Sequence, residues 1–264
     1  MDLQTIILEK NQQVATVWLN RPEKHNAFNG QMIDELIQVY TEVSDDPDIR
    51  IIILRGKGKS FCAGADVEMM REIVSKKKNS KMGERNQLST CLQKIYQTDV
   101  PTIAVAHGSV FGGGNGLIAA CDIVLAETAT IFSFSEVKLG LIPAVISPFV
   151  IRRIGEFHAR DFMLTGRRIN TLEAEKSGLI NHSYNKEMIE QFLQELINNI
   201  LQGGEIAVKK CKSLIDHVVN RWSFEEALLE TEKWIRDIRA SEEAQERMNS
   251  FLKKKIQNRG TKNS

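Results

Sequence analysis

The four cysteines of this chain, Cys62, Cys91, Cys121 and Cys211, are scattered and none sits in a C-x-x-C pair. That spacing suggests neither a metal knuckle nor a disulfide framework, and it fits a reducing cytoplasm. The five histidines lack H-x-x-x-H spacing, so no metal site is expected. No stretch reaches the roughly 18 consecutive apolar residues of a membrane span. The opening "MDLQTIILEKN" has no basic segment followed by an apolar core, so no secretory signal is evident. Charge is close to balanced, at a formal +1, which implies neither nucleic acid nor a membrane as a partner. The one basic run, "KKKNSK", has no interleaved aromatic residues and reads as a solvated loop. Two phosphate-loop motifs are also missing. "GKGKS" ends like a Walker A loop, but the leading glycine it requires falls at Ile53. "GGGNGL" fails G-x-G-x-x-G because its last position is Leu117.

What is present is an ordinary globular composition, 42% hydrophobic and 26% charged over 264 residues, enough for one large domain or a domain with an appendage. "TIILEKNQQVATVWLN" predicts two short strands around a polar turn. Asn26 or Asn29 offers an N-cap to "GQMIDELIQVYTEVSDD", which is apolar at helical spacing. "IRIIILRG" and "PTIAVAHG" are continuous apolar runs of strand length, as in strands covered on both faces. "DVEMMREIV" and "NQLSTCLQKIYQ" predict helices, "NGLIAACD" a short helix, and "IVLAET" another strand. Strands and helices therefore alternate through the first 200 residues, in an order closer to strand–strand–helix units than to a strict βαβ series. Residues 205–255 carry no strand pattern and predict three helices; Ser223 and Glu226 stand at capping-box spacing. The tail "QNRGTKNS" is expected to be disordered.

Two loops, "CAGAD" and "FGGGNG", each follow a buried strand and each are expected to open a helix. Backbone N–H groups at a helix start lack intrahelical partners. Two of them from separate loops can converge on one oxygen and stabilise negative charge there. A plain pair of tight strand-to-helix turns would use the same residues. Soon after the second loop comes Glu136, in "FSFSEVKLGLIP". Among apolar neighbours its carboxyl would be desolvated and its pKa raised toward a useful acid/base range; the plainer alternative is a surface glutamate at a strand end. Cys121 and His107 lie in apolar contexts and are expected to be core residues, and Cys62 to line the pocket.

Together these segments resemble the crotonase (enoyl-CoA hydratase/isomerase) superfamily over nearly the whole chain. The resemblance is carried by "LNRPEKHNAFNGQM", "GKSFCAGADVEMM", "GSVFGGGNGLIAACDIVLA", "FSEVKLGLIP", "LTGRRINTLEAEKSGLI" and "FLKKK". It implies an α/β crotonase fold, a spiral of ββα units in a core over 1–200. A C-terminal helical trimerisation module would follow over 201–257, then a tail over 258–264. It implies an acyl-CoA thioester substrate with no separate cofactor, coenzyme A being carried by the substrate. It also implies a cytoplasmic homotrimer or homohexamer (a dimer of trimers). By position, Ala65 and Gly113 would supply the two oxyanion N–H groups and Glu136 the acid/base. Lys24, Ala27, Ala63, Gly64, Asp66 and Val67 would lie along coenzyme A, with Phe251 and Lys254 approaching from a neighbouring subunit.

One position departs from the pattern. Hydratases of this family commonly carry a further glutamate, in G-G-G-x-E, where this chain has Gly116. In the same chain "PAVISP" replaces the more usual "PGAGG-T". Three activities follow as expectations: hydration with Glu136 alone, isomerisation of an enoyl-CoA by one carboxylate, or binding of CoA thioesters with little catalysis. "SEVKLGLIPAVISPFVIRRIG" resembles bacterial hydratases acting on branched, carboxylated enoyl-CoAs such as 3-methylglutaconyl-CoA in leucine breakdown. A carboxylated substrate would call for a pocket cation, with Lys76, Lys77, Lys78, Lys81, Arg85, Arg152 and Arg153 as candidates. The acyl pocket would be closed by residues 72–90, which carry no motif.

Overall fold

Strand β1 (Ile6–Asn11) and strand β2 (Val14–Leu19) form an antiparallel hairpin closed by Gln12 and Gln13, with Gln12 in the left-handed region at φ 50°. The computed structural model describes residues 2–66 and 86–260. The expected helix "DVEMMREIV", the basic run and most of the 72–90 segment lie outside the described residues. β2 buries every second residue, Ala15, Val17 and Leu19, as a half-covered strand should. β3 (Ile51–Gly56) and β4 (Thr102–Ala106) are buried almost throughout, which is why they read as unbroken apolar runs. β6 (Ile123–Glu127) and β9 (His182–Tyr184) complete a six-stranded sheet in the order β1-β2-β3-β4-β6-β9, parallel after the first pair. A second sheet joins β5 (Ser109–Phe111), β7 (Ile131–Ser133) and β8 (Arg168–Ile169) in the order β5-β7-β8.

Helix α1 (Gly30–Asp45) is capped by Asn29, whose side chain accepts from Met32 N–H at 3.0 Å. Its apolar stripe, Met32, Ile33, Leu36, Val39, Tyr40 and Val43, is fully buried. Glu35 points inward from the same helix and accepts from Thr5 N (2.9 Å), Thr5 Oγ1 (2.7 Å), Ile6 N (3.1 Å) and Gln31 Nε2 (2.9 Å). These bonds fasten the edge strand to the helix. Burial works against the Glu35 charge, but the hydrogen bonds outweigh it and hold its pKa below the ordinary value. The other candidate cap, Asn26, is buried in the left-handed conformation; its amide donates to Lys57 O and Ser60 O, each at 2.8 Å, fixing the loop after β3.

Helix α2 (Gln87–Gln97) packs on α1, and α3 (Gly113–Ala120) is a short, nearly fully buried helix after β5. Helix α4 (Ser147–Thr165) bends at Gly155 and ends at Gly166, both at positive φ. Helix α5 (Thr171–Lys176) opens with a capping box of Asn170 and Glu173. Arg153 of α4 donates to Leu179 O (2.9 Å), Cys121 O (2.7 Å) and Asn181 Oδ1 (2.7 Å). It clamps three segments together, which corrects its candidacy as a substrate-binding cation.

The chain divides into two compact units, Met1–Gln194 and Glu195–Ser264. After α6 (Ile189–Gln202) the second unit contains α7 (Glu205–Asn220), α8 (Phe224–Ala240) and α9 (Glu242–Gly260). Within it Glu243 accepts from Ile206 N at 3.0 Å and Ala207 N at 3.2 Å, capping α7 from α9. The Ser223–Glu226 capping box forms in both directions. Trp222, Trp234 and His217 cluster at centroid distances of 4.9–5.4 Å, the two indoles edge to face. α9 runs through Gly260, further than the expected start of a disordered tail, because no proline or glycine interrupts it before that residue.

Candidate active site

The loop after β3 runs beside the segment before α1. Ala63 N–H donates to His25 O at 2.9 Å, Phe28 N–H to Gly64 O at 2.9 Å, and Asp66 N–H to Phe28 O at 3.0 Å. Phe28 thus bonds the residues on either side of Ala65, so Ala65 turns its own N–H to the opposite side of the ladder. That N–H has no acceptor among the described residues.

The loop after β4 lies against the first. Cys62 N–H donates to Ser109 O at 3.2 Å and Phe111 N–H to Cys62 O at 2.9 Å. Gly64 is at φ 96°, and a β-carbon there would fall 3.0 Å from Phe111 O. Gly112, at φ 48°, is the N-cap of α3, and its own N–H donates to Ser133 O at 2.9 Å. Gly113 follows as the first helical residue, and its N–H also has no acceptor among the described residues. A β-carbon at 113 would lie 2.2 Å from Phe28 Cζ, so the phenyl ring occupies the place of a side chain. One residue, Phe28, therefore holds both donors: its backbone orients Ala65 and its ring packs on Gly113. The buried Asn115 ties the second loop to β7 through Nδ2 bonds to Val110 O (3.1 Å) and Ser133 O (2.9 Å).

Glu136 stands on a short 3-10 helix, Ser135–Leu139, just after β7. The turn is closed by Leu141 N–H donating to Glu136 O at 3.0 Å and by Gly140 at φ 71°. The carboxylate faces the second loop: a β-carbon on Gly112 would lie 3.2 Å from Glu136 Oε1. Oε2 is buried with no hydrogen-bond partner among the described residues. Burial raises the pKa of this carboxyl above the ordinary value, against a weaker pull from its own backbone N–H. A desolvated carboxylate facing the loop that carries the Gly113 N–H, which is uncommitted among the described residues, is an arrangement for moving protons next to a developing oxyanion.

The remaining positions sort as follows. Ala27, Ala63, Gly64 and Asp66 are brought together along the two paired segments, with the exposed Lys24 at their end. The Asp66 carboxylate is buried and paired with Arg21 at 3.0 Å, and Arg21 also donates to Ala27 O, so the carboxylate is engaged within the protein. Phe251 is exposed on α9. Val67 and the Lys254 side chain lie outside what is described, as do Lys76, Lys77, Lys78, Lys81 and Arg85; Arg152 is exposed. Cys62 is a correction: it is wholly buried under Gly114, and burial pushes its thiol up to about 12, so it is a core residue and not a pocket wall. His107 is a second correction, sitting half-buried past the end of β4 with Nε2 3.1 Å from Gly58 O.

At Gly116, where the family pattern has its other glutamate, a β-carbon would fall 2.4 Å from Ile146 Cγ2 and 3.2 Å from Leu92 Cδ1. Sequence reasoning missed Phe28, Ile146 and Leu92. All three act through contacts between distant segments. The unusual "PAVISP" was the one local sign of Ile146.

Residues 9–259 match the family described as enoyl-CoA hydratase/isomerase. A crotonyl-CoA hydratase of Syntrophomonas wolfei is 31% identical over 81% of this chain and 82% of its own length. A mitochondrial Delta(3,5)-Delta(2,4)-dienoyl-CoA isomerase of Dictyostelium discoideum is 34% identical over 82% of this chain and 78% of its own. The crystal structure of an enoyl-CoA hydratase from Shewanella pealeana superposes with a TM-score of 0.89 at 34% identity, covering 96% of this chain and 95% of that one. The fold is the crotonase fold, and the chain belongs to the enoyl-CoA hydratase/isomerase family.

Proposed function

We propose that this protein is an enoyl-CoA hydratase, a hydro-lyase that adds water across the C2=C3 bond of an acyl-CoA thioester. The observation that carries this is the Glu136 carboxylate, raised in pKa, with one buried oxygen unpartnered among the described residues and the other against Gly112. The thioester oxygen would accept from Ala65 and Gly113 N–H. Glu136 would take a proton from a water attacking C3, and the C2=C3 electrons would move onto the thioester oxygen as an enolate. The enolate would then collapse as Glu136 returns that proton to C2. The N-terminal end of α3 adds its dipole where the charge develops.

A branched, carboxylated substrate such as 3-methylglutaconyl-CoA is the finer proposal. It is supported by the sequence resemblance and by Arg152, an exposed cation on α4. The assembly proposed is a homotrimer or homohexamer. Supporting it are exposed apolar side chains in each unit: Ile142, Phe157 and Leu164 in the first, Val219, Phe224 and Phe251 in the second.

Isomerisation is favoured by one observation: Ile146 fills the space beside Gly116, so that Glu136 is the site's one carboxylate among the described residues. One carboxylate suffices to take a proton from C2 of a 3-enoyl-CoA and return it to C4. Incubating the protein with 3-methylglutaconyl-CoA, crotonyl-CoA and a 3-enoyl-CoA in parallel separates these cases. Loss of conjugated thioester absorbance that is fastest with the branched acid supports hydration of that substrate. Gain of conjugation from the 3-enoyl-CoA alone overturns hydration.

A further inference from the structure

Gly112 is the N-cap of α3, and Gly116 lies one turn further along the helix. Side chains on a helix lean toward its N-terminus. A side chain at 116 would therefore lean back over Gly112, the residue whose open side faces Glu136 Oε1. That ground is already taken. Ile146 is 2% exposed and Leu92 is fully buried, and a β-carbon at 116 would meet Ile146 Cγ2 at 2.4 Å, Ile146 Cβ at 3.0 Å and Leu92 Cδ1 at 3.2 Å. None of these atoms can hold a water or share a proton. Ile146 is delivered by the segment just before α4, whose first residues carry Ser147 and Pro148. The wall therefore comes from a different element than the one that carries Glu136.

We infer that Ile146, packed on Gly116 and Leu92, is a specificity-determining residue that leaves Glu136 as the site's one carboxylate among the described residues. It denies position 116 any side chain and closes the side of the site facing Glu136 to a second acid or an ordered water. Position 116 thereby takes no part in proton transfer, which rests on the assignment of Glu136 as the acid/base. The wall makes Gly116 and Ile146 an interdependent pair: a larger residue at one requires a smaller residue at the other.

The test is a double-mutant cycle of Gly116→Glu, Ile146→Gly and both together, read by thermal unfolding and by hydration of crotonyl-CoA. Gly116→Glu alone is expected to lower the unfolding midpoint strongly or to yield no folded protein. Adding Ile146→Gly is expected to restore the midpoint to that of Ile146→Gly alone. The restored protein is expected to hydrate crotonyl-CoA about 10²-fold faster than Ile146→Gly, the scale of one added acid/base group. Gly116→Glu folding with the parental midpoint would overturn the inference. So would a double variant no more stable than Gly116→Glu, or a stable double variant without the gain in rate. The unfolding arm needs no substrate, so it still decides the packing if Glu136→Gln shows that the acid/base assignment is wrong.

Discussion

Two glutamates point into the same apolar core and meet opposite fates. Glu35, at the seam of α1 and β1, is wrapped by donors from Thr5, Ile6, Gln4 and Gln31, and its pKa is held down. Glu136, at the meeting of the two glycine loops, has a buried oxygen with no donor among the described residues, and its pKa is pushed up. Desolvation disfavours the charge in both; hydrogen bonding reverses the outcome in one. A carboxylate that is fully satisfied holds structure together. One left uncommitted is poised to exchange a proton, and the folded state carries its cost.

The comparison breaks most sharply on catalysis. Glu136→Gln is expected to lower kcat by about 10²–10⁴, the usual contribution of a general acid/base. It should not lower stability. A carboxyl with a raised folded pKa contributes stability below its unfolded pKa and loses it as pH rises through the folded value. At neutral pH the glutamine variant should therefore unfold at the same or higher urea concentration than the parent. Glu35→Ala should do the reverse. It leaves several buried donors without an acceptor, at a cost of about 1–3 kcal/mol in urea unfolding, while kcat per folded molecule stays at the parental value. Because the Glu35 pKa is depressed, its stabilisation is present above the unfolded pKa and lost as pH falls through the folded one. The gap between parent and Glu35→Ala should accordingly close in acid. The smallest effect is a displacement: the acid limb of kcat/KM should lie above the ordinary glutamate value of about 4.3, and Glu35→Ala should leave it in place.

Much of this was legible in local sequence. The apolar runs of β3 and β4, the Asn29 cap, the Ser223–Glu226 box and the three final helices each follow from residues close together in the chain. The glycine loops and Glu136 were also visible as a set. Long-range contacts were not. Asn26 looked like a second helix cap, but it binds carbonyls more than 30 residues away. Arg153 looked like a free cation until its three acceptors from other segments were in place. Gly113 must be glycine because of a ring 85 positions earlier in the chain, and Gly116 because of an isoleucine 30 positions later. Such constraints leave no periodic or spacing signature. His107 was misplaced because it stands one residue beyond the end of β4, and Cys62 because it is covered by Ser109, Phe111 and Gly114, about 50 positions later in the chain.

The most direct test of a one-carboxylate hydratase is the loss of conjugated absorbance of crotonyl-CoA, followed for the parent and Glu136→Gln under identical conditions. The expected result is turnover by the parent and a rate at least about 10² lower in the variant, with both proteins equally folded. A variant that keeps the parental rate, or a parent that leaves crotonyl-CoA untouched while conjugating a 3-enoyl-CoA, would contradict it.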